Sequence, residues 1–154
     1  MTGTTEGIAR KVDDLSKEEV IGNIITAYTK ASENPLVDII AHPFNTGRYF
    51  DIPVEPKEYP LNNLKKMAEA MLKNNTYFEI MNNIWWWFPE IHPKEFTKQY
   101  LKLVKVFACA GVKFSLGSDA HSIGGVGNLI WSKYIVKEAD IENRLINPKI
   151  FIND

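Results

Sequence analysis

Three short apolar segments constrain the fold most: VDIIA (37–41), TYFEIM (76–81) and KFSLGSD (113–119) start at intervals of 39 and 37 residues. Each is too short for a helix, and the first two are rich in β-branched or aromatic residues. The stretches between them read as helices. Strands recurring at this spacing with a helix in every gap call for parallel pairing, because a parallel return needs a crossover of a dozen residues or more. The chain of 154 residues, 45% hydrophobic and 24% charged, is long enough to bury the single core this implies.

The helical segments carry their own start and stop signals. Ser16 and Glu19 form a capping-box pair, and Ile21, Ile24, Ile25 and Tyr28 recur on one face, which predicts a helix over 17–32. Glu33, Asn34 and Pro35 break it. A connection with four prolines (Pro43, Pro53, Pro56 and Pro60) leads to a second stripe, Leu61, Leu64, Met67, Ala68, Met71 and Leu72, ended by Asn74-Asn75. A third stripe, Phe96, Tyr100, Leu103, Val104 and Phe107, stops at Gly111 as a C-terminal cap. Weaker helical signals lie around Lys137 to Leu145 and near the C-terminus, and the first dozen residues read as a loose polar lead-in. Cys109, the single cysteine, falls in the third helix, where a buried small side chain is expected, so no disulfide can form within the chain.

Charge excludes one broad class of function. With 18 basic and 19 acidic residues and no basic cluster, binding to nucleic acid by bulk electrostatics is not indicated. The first residues, MTGTTEGIARKVDD, have no apolar core of the secretory kind, and no segment approaches the ~20 apolar residues of a membrane helix. The expected address is the cytoplasm, with no membrane partner.

In parallel β/α architectures the reacting groups gather at the carboxyl ends of the strands. Here those ends carry His42, then Glu79 and Asn82, then Asp119 and His121. If 117–121 stays extended, Asp119 and His121 project to one side, since side chains alternate along a strand. Imidazole with carboxylate suits zinc, manganese or iron better than calcium, and a bound metal lowers the pKa of its water. The plainer reading of each residue alone is a turn or a helix cap; the repetition at successive strand ends is what favours a site. Arg48 and His92, in strand-end loops, are candidates for a phosphate contact and a leaving-group acid, against a plainer reading as solvated loop residues. The run Ile84-Trp85-Trp86-Trp87-Phe88 cannot be buried by either regular periodicity, so part of it is expected to meet a partner or roof the strand ends, with base stacking as a further reading.

VDIIAHP, FEIMNN and SLGSDAH, in this order and spacing, resemble the second half of the PHP family, the polymerase and histidinol phosphatase domains, over about Asn34 to Pro148. The resemblance implies one partial domain over 1–154, α/β in class, built of parallel β/α units like the second half of a distorted seven-stranded TIM-like barrel. It further implies a metal-dependent phosphoesterase of the histidinol-phosphatase-like branch, acting on a small phosphorylated substrate with a zinc, manganese or iron cluster. His42, Asp119 and His121 take the metal-ligand and catalytic roles by this resemblance; Glu79 and Asn82 match less secure positions beside them. HPFNTGRYF and WSKYIVKEADIENRL have some likeness to the exonuclease branch attached to DNA polymerases.

One departure bears on all of this. The family pattern begins with His-x-His, whereas this chain has three histidines, His42, His92 and His121, and no such motif. Half a barrel should bind metal poorly alone and leave sheet edges and apolar faces open, so a second copy or a complementing chain is expected to cover them. A non-catalytic remnant is the competing expectation.

Overall fold

A computed structural model describes residues 15–47 and 52–146 of the chain. Helix α1 (Lys17–Ser32) precedes strand β1 (Ile39–Ile40); α2 (Leu61–Asn74), β2 (Tyr77–Met81), α3 (Pro93–Ala110), β3 (Phe114–Gly117) and α4 (Ile130–Ala139) follow. The three strands form one parallel sheet in the order β1-β2-β3, as the strand spacing required. Mixed α/β architecture with parallel strands is therefore what the chain adopts. The predicted lead-in, Arg48 and the signal near the C-terminus lie outside the described residues.

Local chemistry accounts for the helix limits. Ser16 Oγ accepts from the Glu19 N–H at 3.3 Å while the Ser16 N–H donates to Glu19 Oε2 at 2.8 Å, so both arms of the capping box close over the start of α1. Asn75 ends α2 in the left-handed region at φ 56°, and Gly111 ends α3 at φ 102°. The last helix starts earlier than its weak signal suggests: α4 runs over Ile130–Ala139, so only its last turn and a short 3-10 turn, Glu142–Arg144, fall within the predicted region. Among the described residues no helix is long and apolar enough to cross a membrane.

The helices pack in a row, α1 on α2, α2 on α3 and α3 on α4. Register fixes what meets them. Ile40, Phe78 and Phe114 align across the sheet, and all three are buried. Phe78 lies 4.8 Å from Phe107 of α3 and 5.6 Å from Phe114, ring centre to ring centre. Burying each such ring contributes about 1.5–3 kcal/mol, and the aromatic layer joins the aliphatic side chains of the helices in one core. The predicted faces of α1 and α3 are buried throughout, but Leu61 and Leu72 of α2 are about half exposed, at 51% and 52%. Each sits at one edge of the apolar stripe, too far round the helix to reach the sheet. Cys109 is likewise exposed rather than buried, because it lies one residue beyond the buried Phe107-Ala108 pair.

The strands are shorter than predicted. β1 keeps only two residues before His42-Pro43 turns the chain, and β3 stops at Gly117 instead of Asp119. The outer side of β3 is partly paired: Phe114 bridges Leu145 in parallel, and the Ile146 N–H donates to the Phe114 carbonyl at 2.9 Å. That edge is thus less open than a bare half-barrel would leave it.

Candidate functional site at the carboxyl rim

Backbone conformation sets the rim apart. Six non-glycine residues among those described have positive φ, and four of them follow the strand ends: His42 (33°), Phe44 (67°), Asn83 (59°) and Asp119 (46°). The other two, Asn75 and Asp140, are helix C-caps. Such conformations are held only where the surroundings over-determine them. For the first loop the anchor is Phe44, buried edge-on between Tyr28 and Tyr59, with its N–H donated to the Tyr28 hydroxyl at 3.0 Å.

His42 is fixed through its backbone. Its N–H donates to Glu79 Oε2 at 2.7 Å, which ties the end of β1 to the middle of β2. The Glu79 carboxylate lies across Gly117 so closely that a Cβ there would overlap it. Glycine at 117 is therefore a packing requirement of the Glu79–His42 contact. His42 Nδ1 and Ser115 Oγ, the latter beside Glu79 in register, are both buried without a hydrogen-bond partner among the described residues. Buried polar atoms are ordinarily paired; Asn45 Oδ1, Gln99 Oε1 and the Tyr100 hydroxyl are likewise without a partner among the described residues. The Tyr100 hydroxyl is raised far above its ordinary range by burial, with the Glu79 charge adding to the effect.

Asp119 and His121 come together by a route other than the predicted one. The strand has ended, Asp119 turns into the left-handed region, and His121 folds back so that its Nε2 lies 3.5 Å from Asp119 Oδ2. The imidazole is 81% exposed and the carboxylate side chain 28%. Both line a cleft of about 450 Å³ with Met81, Asn82, Asn83, Ser118 and the tryptophan run. His42 and Glu79 are not among its lining residues.

Two other candidates have structural duties. Asn82 is buried, and its Oδ1 accepts from the N–H groups of Trp131 at 2.9 Å and Ser132 at 3.2 Å, capping α4 from a distant strand end. That remote cap explains why the start of α4 left no strong signal in its own sequence. His92 caps α3: its Nδ1 accepts from the Lys94 N–H at 3.2 Å, and the residue is exposed and off the cleft. The plainer reading of His92 describes its place. Arg48 lies outside the described residues.

The tryptophan run forms a 3-10 turn, Ile84–Trp87, whose ends Ile84 and Phe88 enter the core. Trp85 and Trp87 are partly buried, Trp86 is 48% exposed, and the three indoles wall the cleft. Gly47 lets the first loop approach the Trp87 backbone more closely than any side chain would allow. Neither this approach nor the Gly117 seat was legible beforehand; a glycine directly before Ser-Asp at a strand end is the only hint.

The donor set does not fit a complete metal centre. Among the described residues no three histidine, cysteine, aspartate or glutamate side chains converge as a metal site would require, and the Asp119–His121 pair offers two ligands where three or four are usual. No family model, curated protein or solved structure matches the chain.

Proposed function

We propose that the chain supplies one wall of a hydrolytic site for small phosphate esters, as the PHP-like half-barrel of a metal-dependent phosphoesterase, and that other ligands must complete it. The observation that carries this reading is the Asp119–His121 pair on the cleft beyond β3, with Asp119 in left-handed backbone, while Glu79 of the neighbouring β2 holds the left-handed turn at His42 after β1. Residues of this chain act by placement. Asp119 and His121 present a carboxylate and an imidazole at the cleft, while Glu79 holds the turn that carries His42.

Incompleteness belongs to the reading. Two first-rank ligands are too few for a tight site, and Ile123, Val126 and Ile130, just beyond His121, are 95%, 72% and 80% exposed. A second polypeptide surface seated there would cover this apolar apron and bring ligands to the same rim. The test is hydrolysis of a chromogenic phosphate monoester with added manganese or zinc. A metal-stimulated rate that Asp119→Asn abolishes supports the reading; a rate that Asp119→Asn leaves unchanged overturns it.

A further inference from the structure

Charge that balances over the whole chain is segregated in the fold. Helices α2, α3 and α4 hold nine lysines against three glutamates, whereas the remaining described residues are more acidic than basic. The excess is sharpest on α3, where Lys94, Lys98, Lys102 and Lys105 fall within about 80° of the circumference and along about 17 Å of the axis. The stripe faces away from the buried Phe96, Tyr100 and Phe107, and all four lysines are exposed. Of the four, only Lys98 has an acidic partner among the described residues, Glu95 at 4.0 Å. Like charges one turn apart, at 94, 98 and 102, destabilise a helix slightly, and an anionic partner would reverse the sign of that interaction.

A charged outer face is ordinary for a surface helix; the groove beside this one is what narrows the partner. Between α2 and α3 lies a groove of about 320 Å³, lined on its apolar part by Leu61, Leu64, Leu103 and Val106. Leu64 and Leu103 are buried, while Leu61 leaves 51% of its surface to solvent. Lys57 and Lys102 are also on the lining, so the stripe of α3 runs into the groove at Lys102. One carboxylate shares it, Glu95, whose charge is set against Lys98 and Lys57. An apolar slot with lysines at its border fits a partner that carries apolar side chains and carboxylates together. A lipid headgroup plane or a nucleic-acid backbone offers the charge but no side chain to enter the slot.

We propose that the α2–α3 groove and the lysine stripe of α3 together dock an acidic amphipathic peptide segment of a partner protein. Its apolar side chains enter between Leu61 and Val106, and its carboxylates lie along Lys102 and Lys105. The surface is on the helix layer, distinct from the rim cleft, and the proposal does not depend on the phosphoester reading.

A fluorescent amphipathic peptide of leucine and glutamate, titrated with the full chain and followed by anisotropy, is the direct probe; the control peptide has lysine in place of every glutamate. The acidic peptide should bind saturably and more weakly as salt rises, and the basic one should not bind. Lys102→Glu should weaken binding about 3- to 10-fold and flatten the salt dependence, and Leu61→Ala should weaken it by a similar factor with the salt dependence kept. Both residues are exposed, so thermal unfolding of the variants should match that of the wild type. Lys30→Glu, at the end of α1, makes the same change in net charge away from the groove and should leave binding intact. No saturable binding of the acidic peptide, equal loss in Lys102→Glu and Lys30→Glu, or undiminished binding in either groove variant overturns the dock. Tighter binding to phosphatidylserine vesicles than to the peptide, lost in Lys102→Glu, would overturn it in favour of a membrane surface.

Discussion

The helix-facing side of the sheet and its carboxyl rim are built from the same three strands on opposite terms. On the first, Ile40, Phe78, Ile80 and Phe114 are buried among helix side chains. On the second, the chain turns left-handed at His42, Asn83 and Asp119, leaves His42 Nδ1 and Ser115 Oγ unpaired among the described residues, and exposes His121. The left-handed turns separate the rim from the packed side, whereas unpaired buried polar atoms occur on both, since Gln99 Oε1 and the Tyr100 hydroxyl of α3 also have no partner among the described residues.

Substitutions on the two sides should therefore separate. The largest loss of stability is expected for Phe78→Ala, about 3–5 kcal/mol, because the ring contacts Phe44, Phe107 and Phe114; chemical denaturation measures it. A loss below 1 kcal/mol would remove the contrast at its stronger end. Gly117→Ala comes next, at about 1–3 kcal/mol, since the new methyl must displace Glu79 from the His42 N–H. If the rim loop is held as described, the crystal structure of that variant should show His42 moved and the Phe78 layer intact.

Asn82→Ala should cost about 1 kcal/mol, through loss of the cap on α4. Asn82→Asp, which keeps an acceptor, should restore most of it, and amide exchange at Trp131 and Ser132 would localise the effect.

The smallest effect is a pH dependence away from both regions. Burial works to raise the Glu55 carboxyl, but hydrogen bonds from Lys57 and Gln99 and the charges of Lys57 and Lys17 outweigh it and hold it below the ordinary value. A depressed native pKa stabilises the fold above the unfolded-state value, and that contribution disappears as pH falls through the native one. Glu55→Gln should thus reduce stability by under about 1 kcal/mol near neutrality and by nothing in strong acid. A difference that persisted at low pH would assign the effect to packing.

What was legible in the sequence follows the same division. Periodicity exposed α1, α2 and α3, and the capping box at Ser16 and the stop at Gly111 set their ends, because those signals are local. The site residues were legible as a pattern of strand ends, but not their geometry. Asp119 meets His121 through a turn instead of an extended strand, and the role of Asn82 depends on a helix 49 residues away. Long-range hydrogen bonds and left-handed turns leave little trace in periodicity, which is why the start of α4, the seat at Gly117 and the cap by Asn82 became visible only in three dimensions.

The most direct test of the rim as a ligand-presenting site is calorimetric titration of manganese or zinc into the wild-type chain and into Asp119→Asn, with thermal unfolding of both in the absence of metal. Weak binding in the wild type, lost in Asp119→Asn with the melting temperature unchanged, is the predicted result. Binding that survives Asp119→Asn, or no binding by the wild type at millimolar metal, would contradict it.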